Sequence, residues 1–99
     1  MELARIEGTI VSTAKSERLY GYKLLLLNLI NPDMSPSNNY VVAVDAVGAG
    51  EGEVVIVVRG SSARQAEKLS NVPTDASIIG IVDSVTFKGD TVFQKYKNQ

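Results

Sequence analysis

Three stretches of this chain offer no polar face to water. In Leu24–Leu29, Leu24 and Leu26 point one way and Leu25, Leu27 and Leu29 the other. Tyr40–Val44 is apolar on both sides, and Val54–Val58 is an unbroken β-branched run. A strand of a small antiparallel barrel normally gives one face to the core and the other to water. Burying a Val, Leu or Ile is worth roughly 1.5–3 kcal/mol relative to exposure, so strands like these need a second cover. Either the rest of the chain supplies it, or another molecule does. In 99 residues few are left over for covering, which favours a neighbouring copy of the same chain. The contact is then expected to look like a piece of core.

The remaining pattern is also mostly strand. Ala4–Thr13 alternates, with Ala4, Ile6, Gly8 and Ile10 expected on one face. Lys15–Arg18 reads as a polar loop, and Met34–Asn39 as another after the Asn31-Pro32-Asp33 stop. Gly48–Gly52 reads as a flexible turn. Ser62 and Gln65 fit a capping box opening one short helix, with Ala63, Ala66 and Leu69 on its apolar face. Ala76–Phe87 is expected as the fifth strand, with Ile79, Ile81, Val85 and Phe87 together. Lys88-Gly89-Asp90 then turns into a last strand over Thr91–Tyr96. One domain spanning 1–99 results. It is mainly β: a small five-stranded OB-like barrel with one short helix and a C-terminal β-hairpin extension. A two-sheet sandwich is the alternative.

Chemistry is sparse. There is no histidine and no cysteine, so the commonest general base, the usual partner of a serine nucleophile and thiolate metal sites are all missing. Ser61 and Ser62 therefore read as helix-capping residues. Gly48, Gly50 and Gly52 space as G-x-G-x-G before a strand, with Glu51 and Glu53 beside them. No helix N-terminus follows to hold a phosphate, so a tight turn is the reading. The carboxylates show no calcium-loop spacing. No catalytic residue, cofactor or metal is expected. The formal net charge is −1 and the basic residues are scattered, which speaks against a phosphate-binding stripe. An OB-type module for single-stranded nucleic acid, using Tyr20, Tyr22 and Tyr40 to stack bases, is the runner-up. The start of the chain lacks signal-peptide character, and apolar runs such as Leu24–Leu27 fall far short of the roughly 20 residues that span a bilayer. A soluble cytoplasmic protein with no membrane partner is expected.

Five ordered blocks carry a resemblance: Gly8–Thr13, Lys23–Leu27, Val42–Gly50, Gly60–Arg64 and Ile79–Asp83. Together they resemble the EutN/CcmL family of bacterial microcompartment vertex proteins. The resemblance implies a non-enzymatic shell component whose homopentamer fills the vertices of a polyhedral shell tiled by hexameric shell proteins. It implies that Gly48, Gly50, Glu51, Gly52, Glu53, Ser61, Ser62 and Arg64 lie at or near subunit contacts around the axis. Arg64 is expected to pair with Glu51 or Glu53, on its own or a neighbouring chain. The segment Pro32–Asn39 and the tail after Phe87 depart from the family pattern.

Overall fold

The computed structural model describes residues 1–13, 17–60 and 74–96. Five strands close a barrel: β1 (Glu2–Ile10), β2 (Leu24–Ile30), β3 (Pro36–Asp45), β4 (Val54–Arg59) and β5 (Ala76–Ile81). Their order around the barrel is β1-β2-β3-β5-β4. All neighbours are antiparallel except β3 and β5, which meet in parallel at Val44–Ser77 and Asp45–Ile78. β6 (Ser84–Phe87) and β7 (Asp90–Gln94) form a separate two-stranded sheet. Lys88 and Gly89 both have positive φ at its turn, as a tight hairpin with right-handed strands requires. A 3-10 turn, Glu17–Leu19, precedes β2. The expected capping-box helix lies outside the described residues.

The core follows the alternation of β1, β2 and β4. Ala4, Ile6, Leu25, Leu27, Ala43, Val55, Val57, Ala76 and Ile78 are all buried in one cluster. Ala49, from the loop after β3, joins them.

Three sequence expectations change. First, β1 does not keep Ala4, Ile6, Gly8 and Ile10 on one face. Its register shifts between Ile6 and Gly8, so Ile6 pairs with Leu27 but Gly8 with Leu26 and Ile10 with Leu24. One extra residue, Glu7, moves every later side chain to the opposite face. Second, β3 begins at Pro36, inside the segment expected as a loop. The cause is Asn28, whose buried side chain donates to the carbonyls of Ser37 and Asn39 at 2.9 and 3.2 Å. The Ser37 hydroxyl in turn donates to the Leu29 carbonyl.

Third, Ala76–Phe87 is two strands. The chain leaves the barrel at Val82, whose N–H donates to the Val54 carbonyl at 2.8 Å. A further register shift opposite Val57 puts Ile78 in the core and turns Ile79 out. As the shortage of covering residues implies, the second face of the apolar strands is only partly covered within the chain. Leu19 and Tyr22 pack with Leu24 over Val44, and Arg5 lies over the Phe93 ring at 5.8 Å. Tyr40 and Val42 stay 57% and 47% exposed.

Candidate functional site

The segment from Asp45 to Glu53 joins β3 to β4, and the sequence makes it the candidate site. It is a pinned loop, not the flexible turn its glycines suggest. Asp45, with a side chain only 2% exposed, accepts the N–H groups of Val47 and Gly48, both at 3.0 Å. Lys23 sits 3.5 Å from the same carboxylate and donates to the Ala49 carbonyl at 2.6 Å. Ala49 is thereby held with its methyl in the barrel core.

The second half of the loop is fixed by β1. Gly52 donates to the Ile6 carbonyl at 2.9 Å, and Ile6 donates to the Glu53 carbonyl at 2.9 Å. Arg5 adds a hydrogen bond to the Gly52 carbonyl at 3.1 Å. Gly48 and Gly52 hold positive φ, 79° and 85°, which side chains with a Cβ rarely adopt. Gly50 does not need this freedom: its N–H is tied to Glu53 Oε1 at 2.7 Å.

Glu53 is the hub. Its other oxygen pairs with Lys95 at the foot of β7. The Lys95 hydrogen bond, then the Gly50 N–H, hold its carboxyl below the ordinary value. The same pair raises Lys95. Lys95 also donates its backbone N–H to the Asp83 carbonyl at 2.8 Å. One glutamate thus joins the loop, the barrel and the hairpin. Among the described residues no group of three His, Cys, Asp or Glu side chains could hold a metal ion.

The expected site residues do not all come together. Gly48, Gly50, Glu51, Gly52 and Glu53 lie before β4, with Glu51 exposed. Gly60 lies at the other end of β4, about 20 Å away for six extended residues. Ser61, Ser62 and Arg64 lie outside the described residues. Sequence reading missed Lys23, Asn28 and Lys95 as organising residues. Asn28 left a signal, as the lone polar residue in the run Leu24–Ile30. Lys95 left none, because its partner is distant in sequence.

The family described as "Ethanolamine utilisation protein EutN/carboxysome" matches residues 1–83. The microcompartment shell vertex protein EutN of Escherichia coli is 45% identical over 95 residues, covering 96% of this chain and all of that one. The solved structure of Gloeobacter violaceus CcmL is 42% identical with a TM-score of 0.90, covering 96% of this chain and 98% of that one. GrpN of Rhodospirillum rubrum, described as a pentameric microcompartment shell protein, is 47% identical with a TM-score of 0.81, covering 88% and 99%. Nucleic-acid binding, the runner-up reading, finds no support among these relatives. The family match runs from β1 through β5 and ends where the barrel does, so this chain belongs to the EutN/CcmL family.

Proposed function

We propose that the chain is a structural subunit whose homopentamer caps the vertices of a bacterial microcompartment in the cytoplasm, without enzymatic activity. The observation that carries this reading is the near full-length likeness to shell vertex proteins, one of them described as pentameric. Exposed Tyr40 and Val42 on an otherwise well-packed barrel support self-association. The lack of histidine and cysteine suits a wall component.

Hexameric shell proteins are the partners at the ring's outer edge, and nucleic acid and membrane are not. The Gly48–Glu53 loop and the Gly60–Arg64 segment lie near protomer contacts. Of the two glutamates proposed to pair with Arg64, on its own or a neighbouring protomer, Glu51 is exposed. Glu53 is already engaged by Lys95 and Gly50.

Native mass spectrometry tests the ring. Five copies of a 10.6 kDa chain give about 53 kDa. A dominant 10.6 kDa species at micromolar concentration would sink the proposal.

A further inference from the structure

The β6–β7 hairpin is tied to the barrel by charge, not by core packing. Among the described residues, neither apolar cluster takes in a side chain from β6 or β7. Val85, Phe87, Val92 and Phe93 are only partly buried. Two cations reach across instead. Lys95 pairs with one oxygen of Glu53, while the other oxygen of that carboxylate accepts the Gly50 N–H at 2.7 Å. The Arg5 guanidinium stands 5.8 Å from the centre of the Phe93 ring and donates to the Gly52 carbonyl at 3.1 Å. Glu53 and Arg5 thus each touch the Gly50–Glu53 half of the loop and the hairpin together.

The backbone supplies a pivot. Val82 is buried and its N–H is fixed to the Val54 carbonyl at 2.8 Å. Asp83, the next residue, is exposed, and its carbonyl accepts the Lys95 N–H at 2.8 Å. That bond closes the base of the hairpin onto itself. A barrel residue ends on one side of Asp83 and a self-closed arm begins on the other. Partly exposed ion pairs are weak and screened by salt, whereas apolar packing is not screened. The arm's hold is therefore the first to open.

We infer that the hairpin is a strap: docked on Glu53 and Arg5 it locks the Gly50–Glu53 half of the loop, and undocked it turns about Asp83 and releases that half. The coupling is reciprocal. A partner that engages Lys95 or Phe93 loosens the loop, and a contact that draws Glu53 away frees the hairpin. Both ends lie within one chain, so the strap works in a monomer and in a ring alike.

Amide exchange followed by nuclear magnetic resonance tests it. Raising sodium chloride from about 20 mM to about 500 mM shortens the screening length several-fold. In the unaltered protein the amides of β6, β7, Gly50 and Gly52 should then exchange several-fold faster together, while Val55 and Val57 in the barrel keep their rates. Lys95→Ala should show the fast rates at low salt already and respond little to more. Lys95→Arg, which keeps the charge, should restore slow exchange and the salt response. Phe93→Leu, which keeps apolar bulk but loses the ring, should quicken Gly52. Hairpin amides that quicken while Gly50 and Gly52 do not would show that the hairpin locks nothing. A hairpin indifferent to salt, or one whose release also quickens Val55 and Val57, would show that packing holds it, and either result overturns the strap.

Discussion

Gly52 and Gly50 are two residues apart, yet the backbone asks different things of them. Gly52 holds φ at +85° with open space where a Cβ would go, so alanine there meets no neighbour but strains the chain by about 1–2 kcal/mol. Gly50 is not in that region, and its Cβ would rest 3.6 Å from Glu53 Oε1, an ordinary contact. Gly52→Ala should therefore lower the thermal midpoint by several degrees, while Gly50→Ala leaves it nearly unchanged. Equal effects in scanning calorimetry would show that the loop is not held in this conformation. At the same scale the sequence was legible only in part. It showed that a glycine-rich turn follows β3, but not that Lys23, Arg5 and Glu53 pin it. Arg5 comes from β1 and Lys23 from just before β2, and one residue's sequence context does not report a carbonyl that tertiary folding brings 2.6 Å away.

The hairpin of β6 and β7 is the element with the least support. A lone two-stranded sheet is marginal in water, and here its root rests on the Glu53–Lys95 pair, the Lys95–Asp83 backbone bond and the Arg5–Phe93 contact. Lys95→Ala should raise amide exchange across 84–94 at neutral pH and leave β1–β5 protected. Loss of protection throughout the barrel would mean the hairpin is integral to the core. The pair also sets a pH window. The Glu53 carboxyl is held below its ordinary 4.5, so its contribution is present above that value and fades as pH falls through the lowered one. Lys95 is held above 10.5, so its share is complete below that value and fades as pH rises beyond it. Methyl signals of Val85 and Val92 should shift on acidification from neutrality in the unaltered protein and much less in Lys95→Ala. The hairpin's existence was readable, because Lys-Gly-Asp between two short apolar runs is a turn signal. Its separation from β5 was not: alternation continues through Ile81 and Val85, and only the hydrogen bond from Val82 to β4 marks the exit.

For the whole molecule, the margin is thin. A chain of 99 residues buries only about 60–70% of the surface its unfolded state exposes. If copies bury each other's apolar strand faces, association adds stability by mass action. The thermal midpoint should then rise with protein concentration across the micromolar range. A midpoint that does not change over a hundredfold dilution would indicate that the folded chain is stable alone and that its exposed apolar faces contribute nothing. Leu27, fully buried among β1, β2 and β4 residues, is the severest point to weaken: Leu27→Ala should cost about 2–5 kcal/mol.

By itself the sequence determined the mainly β class, the hairpin turn, the poverty of chemistry and the resemblance to a family, because period-two patterning and missing residue types are local facts. Only the tertiary structure decided which faces lie outward. Two single-residue register shifts, one after Ile6 in β1 and one at Ile79 in β5, reverse the facing of everything beyond them. Apolar residues on both sides of a strand give no pattern from which such a shift can be read. The physical reason is that a bulge is settled by hydrogen bonds to the partner strand, and the partner is known only once the barrel has closed.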